Sequence, residues 1–240
     1  MNLYQKLLSI IPIIGLLIIA GNCNAEPQNS VSVDLTAITL SGGLKGIKYE
    51  SGGKVESLSV FKNVRSPPFR YVGSPEVIFF RELGTINDSD TPQRKVVGRM
   101  LLPASTGEFL VVFSKLPGKE ESYRVTPLPD SLTVFRPGMY RFRNMSPYTV
   151  AIQVGEERTL IPKYGFKDLE SKGDESQYQN TLIISLPDEK QFEGAKPYQV
   201  FSGSMFFSSN LRTIYIMTPI SGGRPGRIKL ESIVERVSDA

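Results

Sequence analysis

The chain contains neither histidine nor tryptophan among its 240 residues. Histidine is the usual general base near neutral pH and the commonest metal-ligating side chain. Its absence excludes Ser–His and Cys–His nucleophile systems, and it also excludes His-ligated zinc and non-haem iron. Tryptophan often forms the floor of sugar-binding sites, so its absence disfavours a glycoside hydrolase that uses paired carboxylates. The sequence therefore predicts no catalytic residue, no metal ligand and no cofactor.

Cysteine occurs once, at Cys23, within an N-terminal segment that has the layout of an export signal. Lys6 supplies a positive start, the apolar run 7–20 follows, and Cys23-Asn24-Ala25 forms a small-residue cleavage site before Glu26. We therefore expect residues 1–25 to be a signal peptide and the protein to be secreted or periplasmic. A second interpretation makes Cys23 the lipidated first residue of a lipoprotein, which would be the only membrane attachment. In either case the exported body has no disulfide and no thiol.

The charged residues are nearly balanced, with 28 Lys and Arg against 24 Asp and Glu and a net charge of +4. The two signs are interspersed from Lys45 to Arg236. A nucleic-acid-binding protein would be expected to gather its basic residues in one run or on one face. The pattern therefore argues against a nucleic-acid partner.

The body of the chain reads as short apolar or alternating runs separated by Gly, Pro, Asn and Ser, which predicts β-strands and turns. In Arg227–Glu231 apolar and charged residues alternate, whereas Phe109–Phe113 is apolar on both faces, as in a covered sheet. No segment sustains a helical period. We expect an all-β fold with strands near 31–40, 54–61, 76–83, 95–102, 108–114, 122–126, 138–144, 148–154, 180–186, 198–202, 211–218 and 226–234.

The two halves of the chain resemble each other weakly. Ser57–Phe61 matches Ser131–Phe135, and Phe69–Tyr71 matches Tyr140–Phe142, with a Ser-Pro pair after each aromatic run. This pattern indicates either a diverged duplication or the chance recurrence of common strand and turn sequences. Because paired prolines cannot continue a central strand, the stretch 126–130 is the predicted boundary. We therefore expect two consecutive β-sandwich domains, immunoglobulin-like or cupredoxin-like, at residues 26–128 and 129–240, with mobile loops at 84–94 and 162–179.

The segment Phe135–Ser146 (FRPGMYRFRNMS), with Phe69–Gly73 and Leu101–Pro103, resembles uncharacterised secreted proteins of verrucomicrobial-type bacteria. These motifs consist of a turn glycine, core aromatics and an asparagine at a strand end, so the resemblance implies a β-sandwich but assigns no catalytic or binding residue. The size and arrangement also invite comparison with periplasmic pilus-assembly chaperones, although the strand motifs of those chaperones are absent. That comparison rests on architecture alone.

Two short motifs suggest chemistry, but each has a simpler structural interpretation. Ser51 and Lys54 have the S-x-x-K spacing of penicillin-recognising enzymes, yet the two glycines between them predict a hairpin turn instead of a helix. Asn87, Asp88 and Asp90 crowd oxygen ligands as a calcium loop does, but the motif is incomplete and Thr91-Pro92 interrupts it. We expect a solvated hairpin loop there.

Five arginines are the candidate contacts for a ligand or partner. Arg224 and Arg227 lie in a glycine-rich stretch that could cradle an anion, although we expect it to be a turn between two strands. Arg70, Arg141 and Arg143 interleave with aromatic residues, so strand alternation sends the rings to one face and the guanidinium groups to the other. We expect the rings to pack in a core and the arginines to form a basic face in water, where stacking on a ligand is the alternative role.

Together these features predict an exported, non-enzymatic protein of a bacterial envelope, acting as a binding or structural β-sandwich module. Its expected partner is another envelope protein or a surface polymer, bound through strand edges or the 162–179 segment. Two alternatives remain open: a periplasmic chaperone or assembly factor for a surface structure, and a carboxylate-based hydrolase. A concave pocket with two convergent acidic residues would favour the hydrolase.

Overall fold

The computed structural model describes residues 30–84, 92–116, 118–170, 176–220 and 222–236. Within these ranges the protein is all-β, which confirms that part of the predicted fold class. The predicted signal peptide, Cys23 and the expected hairpin loop with Asn87, Asp88 and Asp90 lie outside the described residues. The strands are β1 (Val31–Thr39), β2 (Leu44–Ser51), β3 (Lys54–Lys62), β4 (Phe69–Gly73), β5 (Glu76–Leu83), β6 (Gln93–Leu101), β7 (Thr106–Lys115), β8 (Tyr123–Pro129), β9 (Met139–Asn144), β10 (Thr149–Val154), β11 (Glu157–Ile161), β12 (Phe166–Glu170), β13 (Gln177–Leu186), β14 (Tyr198–Phe207), β15 (Leu211–Pro219) and β16 (Ile228–Arg236).

The N-terminal half, β1 to β8, forms one folded sheet in the order β6-β5-β2-β3-β1-β7-β8, with β4 also paired to β1. β3 connects the two layers of this sheet, because most of it pairs with β2 while its end pairs in parallel with β1. Phe79 of β5 and Phe113 of β7 meet with ring centroids 5.0 Å apart although their strands are not neighbours. The sheet therefore folds over itself and encloses a first apolar core.

The C-terminal half, β9 to β16, contains two four-stranded sheets with orders β12-β9-β15-β16 and β11-β10-β13-β14. Their facing sides form a second apolar core. Tyr140 of the first sheet and Phe207 of the second meet across it with ring centroids 4.3 Å apart. Sheets that pack face to face in this way, with alternating side chains between them, have the arrangement of a β-sandwich.

A third apolar cluster joins the two halves. Leu110 and Val112 of β7 belong to this cluster together with Ile214, Ile216 and Ile233 of the C-terminal half. The alternate residues of β7, Phe109, Val111 and Phe113, belong to the first core. β7 is therefore buried on both faces, as its uninterrupted apolar sequence predicts. The second face is covered by the β12-β9-β15-β16 sheet of the C-terminal half.

Three sequence expectations are corrected by the fold. The proline-rich stretch does not end the strand at residue 126 as expected, because β8 continues to Pro129. β8 is the last strand in the sheet order, so the prolines, which lack an N–H, leave no neighbouring strand without a hydrogen bond on that edge. Ser131–Phe135 forms a turn, whereas its proposed counterpart Ser57–Phe61 lies in β3, so these two matched segments do not share a conformation. The segment 162–179, expected to be a loop, contains β12 and the start of β13. The division into residues 26–128 and 129–240 stays a prediction.

Candidate functional site

The Ser51 hydroxyl forms a hydrogen bond with the backbone of β4 that supports the fold. The hydroxyl accepts a hydrogen bond from the Val72 N–H at 2.9 Å, and Gly52 donates its N–H to the Val72 carbonyl at 2.8 Å. Gly52 and Gly53 adopt φ values of +56° and +76°, which places them in the hairpin turn between β2 and β3. The S-x-x-K spacing therefore lies in a hairpin, as expected, and the serine ties that hairpin to β4.

Three of the five candidate arginines are exposed. Arg70 on β4 pairs with Asp34 at 2.6 Å and donates to Ser32 at 2.8 Å. Arg224 and Arg227 lie in the connection between β15 and β16, where the Arg227 guanidinium sits 5.3 Å from the centroid of the Tyr198 ring. That connection is a turn between strands, as predicted.

Arg141 is buried, which corrects the expected basic face in water. Its side chain is 2% exposed, and it donates from Nε and Nη2 to the two carboxylate oxygens of Asp168 at 2.8 and 2.7 Å. Nη1 donates to the Pro129 carbonyl, and the guanidinium lies 4.5 Å from the centroid of the Phe135 ring. Alternation does send Tyr140 into the second core, but the opposite face of β9 meets the N-terminal half in place of solvent.

A second set of charges, here called the inter-half ionic group, consists of Arg65, Asp130, Arg212 and Glu235. Arg65 follows β3 and donates Nη2 to Asp130 at 3.0 Å and to Glu235 at 3.1 Å. Arg212 of β15 donates to Glu235 at 2.7 Å and to the Asp130 carbonyl at 2.9 Å. Burial lowers the pKa of Arg212, while nearby Asp130 acts in the opposite direction.

The inter-half ionic group was missed by sequence reasoning because its members are far apart in the chain, with Arg65 and Glu235 separated by 170 positions. No local spacing signals such a contact. The group links β3, β15 and β16 around the start of the C-terminal half, so it fixes how the two halves meet.

Arg143 lies two residues beyond Arg141 on the same face of β9. Its Cα partner on β12 is Phe166, and its partner on β15 is Ile216. The side chain is half-buried, and its Nε is buried with no hydrogen-bond partner among the described residues. Burial lowers the pKa of Arg143, and the neighbouring positive charge of Arg141 lowers it further.

The outer side of the β11-β10-β13-β14 sheet carries a partly apolar surface. Leu160 is exposed there and Ala151, Leu182 and Ile184 are half-buried, while Gln153 and Arg158 line the same concavity. We define the outer apolar face as Ala151, Leu160, Leu182 and Ile184, which line a shallow concavity of about 500 Å³. Ala151 lies between its Cα partners Leu160 and Ile184, so the three side chains share one face. Leu160 is 64% exposed. Farther along the same sheet, Tyr178 and Phe206 contact each other with ring centroids 5.2 Å apart and are also exposed.

A second concavity, of about 470 Å³, lies beside the β2–β3 hairpin and contains two acidic residues, Glu50 and Glu76. Glu50 pairs with Arg94 at 2.5 Å, and Glu76 pairs with Arg99 at 3.2 Å. Both carboxylates are at least half exposed. A hydrolase of the paired-carboxylate type needs one acid in an apolar environment that keeps it protonated. These two ion-paired glutamates do not provide that environment.

Over the described ranges, no three acidic residues come together in a way that could hold a metal ion. The same part of the chain contains no helix long and apolar enough to cross a membrane.

No family model matches the chain, and no curated protein matches it. Among solved structures, human GIVD cytosolic phospholipase A2 is similar over 81% of this chain and 30% of its own, at 10% identity and a TM-score of 0.25. The tip fimbrial protein Mfa3 from Porphyromonas gingivalis covers 87% of this chain and 100% of its own, at 9% identity and a TM-score of 0.23. A two-domain fragment of Extended-Synaptotagmin 2 covers 99% and 100%, at 12% identity and a TM-score of 0.17. At these TM-scores the similarities carry no argument about this protein.

Proposed function

We propose that this protein is an exported, non-enzymatic binding module of a bacterial envelope, built from two consecutive β-sandwiches of immunoglobulin-like or cupredoxin-like type. The observation that carries the proposal is the outer apolar face. The partner is another envelope protein, which covers that face when bound.

The outer apolar face combines exposure with a rigid support. The opposite side of the same sheet contributes Val150, Ile152 and Ile183 to the second core, so the backbone beneath the face is held by packing. Contiguous apolar side chains on the surface of a soluble protein typically mark an interaction site. Fully covering an exposed leucine side chain contributes about 1.5–3 kcal/mol. Leu160 is 64% exposed, so covering it is expected to contribute about 1–2 kcal/mol, roughly five- to thirtyfold in affinity.

The end of the sheet adds a second means of recognition. β11 is the terminal strand in the order β11-β10-β13-β14, so no strand from the described part of the chain pairs with its second edge. An extended segment of a partner protein can add to such an edge through backbone hydrogen bonds. Its alternate side chains would then lie beside Leu160 on the outer apolar face. This arrangement supports a protein partner.

The test compares Leu160→Lys with Leu132→Lys. Leu132 is a matched control because it is 50% exposed and lies in the turn after β8, away from the outer apolar face. The wild-type protein and both variants are each used to capture partners from an envelope extract of the source bacterium. The captured proteins are quantified by mass spectrometry. We expect a partner that is retained by Leu132→Lys and lost with Leu160→Lys. Equal capture by both variants would remove the support for this face.

Export is tested separately by determining the N-terminus of the protein recovered from cells. Signal cleavage predicts Glu26 as the first residue, and lipoprotein processing predicts Cys23 with an attached lipid. Recovery of the uncleaved chain in the cytoplasm would contradict the envelope assignment.

A further inference from the structure

Two arginines and two aromatic residues lie near the contact between β8 and the turn that precedes β12. We call this set, consisting of Arg124, Arg143, Tyr164 and Phe166, the basic seam. The Arg124 guanidinium lies 4.7 Å from the centroid of the Tyr164 ring. Arg143 and Phe166 are Cα partners on β9 and β12, so their side chains leave the same face of that sheet.

Contacts between the halves place both arginines at the same level of the interface. Ser114, the Cα partner of Arg124 on β7, donates its hydroxyl to the Met145 sulfur at 3.7 Å. Met145 follows Arg143 by two residues, and the next residue, Ser146, accepts a hydrogen bond from the Tyr164 N–H at 3.3 Å. The two arginines therefore lie at a similar level on facing strands of the two halves, with Tyr164 next to Arg124 and Phe166 next to Arg143 in the strand register.

The acidic side chains on this face of the β12-β9-β15-β16 sheet each lie within ion-pair distance of a cation. The four pairs are Asp168 with Arg141, Glu170 with Arg136, Glu231 with Lys229, and Glu235 with Arg212. Glu231 is the least engaged of them, because its buried Oε2 forms no hydrogen bond within the described residues although the Lys229 Nζ lies 3.0 Å away. On the facing strand β7, Glu108 lies six residues from Ser114, which is about 20 Å along an extended strand. Within the described part of the chain, Arg124 and Arg143 form no ion pair.

The condition of Arg143 is energetically unfavourable in the absence of an anion. A guanidinium keeps its charge in proteins, and a buried polar N–H without a partner weakens the folded state. Arg143 combines a buried, unpartnered Nε with a like charge, Arg141, beside it. An oxyanion at this position would satisfy the N–H donors and compensate the charge.

We propose that the basic seam binds an oxyanionic group, either a carboxylate or a phosphate, between Arg143 and Arg124. The guanidinium groups of Arg124 and Arg141 lie 4.7 and 5.3 Å from the ring centroids of Tyr164 and Phe166. The two residues are nevertheless 42% and 49% exposed, so part of each ring remains open to the ligand that carries the anion. An acidic envelope polymer presents such groups. This site lies on a different sheet from the outer apolar face, so it goes beyond the binding of a protein partner.

The experiment follows the arginine Nε–Hε signals of ¹⁵N-labelled protein by NMR during titration with inorganic phosphate and, separately, with galacturonate. Sodium chloride keeps the ionic strength constant. We expect saturable shifts of the Arg143 and Arg124 signals, and the probe that produces them identifies the group as a phosphate or a carboxylate. Absence of saturable shifts with both probes would overturn the proposal.

Variants separate a specific site from general attraction of anions. Arg143→Gln is expected to weaken binding about tenfold or more, since a hydrogen bond to a charged group contributes about 1.5–3 kcal/mol. Arg143→Lys keeps the charge but loses the planar fork, so an intermediate affinity is expected. Arg70→Gln, which alters an exposed arginine paired with Asp34, should leave binding unchanged.

Folding and the apolar face provide two further checks. Arg124→Gln changes an exposed side chain, so it tests the site even if Arg143→Gln fails to fold. Unchanged affinity in Arg124→Gln and Arg143→Lys would refute the proposal. Because the outer apolar face is on another sheet, Arg124→Gln should capture the same protein partner as the wild type.

Discussion

Replacing Asp168 with alanine should destabilise the protein strongly, because it leaves the buried guanidinium of Arg141 without its anion. Asp168 occupies two of the arginine's donors, at 2.8 and 2.7 Å, and only the Pro129 carbonyl would remain as a hydrogen-bond acceptor. The Arg141 side chain is 2% exposed and that of Asp168 is 20% exposed, so water can reach the guanidinium only through the space that the aspartate side chain leaves, and it replaces the lost carboxylate poorly.

The expected magnitude follows from this burial. Removing one partner of a buried ion pair costs about 3–5 kcal/mol. For a chain of this size each kcal/mol shifts the melting temperature by about 2–4 °C. Asp168→Ala should therefore lower the melting temperature by about 6–20 °C.

The assay is urea and thermal unfolding followed by circular dichroism, with a double-mutant cycle. Arg141→Met should be less destabilising than Asp168→Ala, because Asp168 is 20% exposed and can be hydrated alone. The double variant should be more stable than Asp168→Ala, since the unpaired charge is gone. Glu170→Ala is the matched control, because it breaks an exposed pair between β12 and the Arg136 turn before β9, and less than about 1 kcal/mol is expected.

Two results would refute the reasoning. The first is a loss in Asp168→Ala no larger than that in Glu170→Ala. The second is a double variant whose loss equals the sum of the two single losses, which would show that Arg141 and Asp168 do not interact.

Three further predictions concern packing, hydrogen bonding and pH. A Cβ at Gly98 would lie 2.5 Å from the Val125 side chain, so Gly98→Ala should lower the free energy of unfolding in urea by about 1–3 kcal/mol. Adding Val125→Ala should recover part of that loss. Gly43→Ala is the control and should show no loss, because the nearest atom to its Cβ would be 3.6 Å away. Asn144 is fully buried and donates to two backbone carbonyls at 2.6 and 3.0 Å, so Asn144→Ala should lower the free energy of unfolding by about 2–4 kcal/mol, and a loss below about 1 kcal/mol would contradict this. Burial, followed by the charge of a neighbouring tyrosine, raises the pKa of Tyr215 from 10.0 to about 12. The folded state therefore favours the neutral phenol, so this stabilisation is complete below about pH 10 and about 2–3 kcal/mol is lost as the pH rises through about 12. Tyr215→Phe should reduce this loss when the free energy of unfolding is measured across that pH range.

Most strands could be predicted because their apolar and polar residues alternate with a period of two. β5, β9, β10 and β15 begin and end within a residue of the expected positions. β2 was missed because Gly46, with φ +67°, lies within it and the register shifts there. β12 was missed because its residues, Phe166–Glu170, are mostly polar, as is common for a strand at the edge of a sheet.

The candidate site was only partly predictable, and β9 shows the reason. Alternation correctly separates Tyr140 and Phe142 from Arg141 and Arg143, because successive side chains leave opposite faces. It does not say what covers each face. That depends on the contact between two halves of the chain, so the burial of Arg141 and the unpaired state of Arg143 are visible only in three dimensions.

The contact between the halves combines two kinds of interaction with different consequences. The third apolar cluster removes surface from water, but that driving force has no preferred direction and would allow the sheets to slide or rotate. The ionic contacts are directional, since each guanidinium must meet its carboxylate in a fixed geometry. Arg65 from the N-terminal half and Arg212 from the C-terminal half both bind Asp130 and Glu235, so one relative orientation satisfies them all. The same orientation brings Arg124 beside Tyr164, and it therefore defines the basic seam.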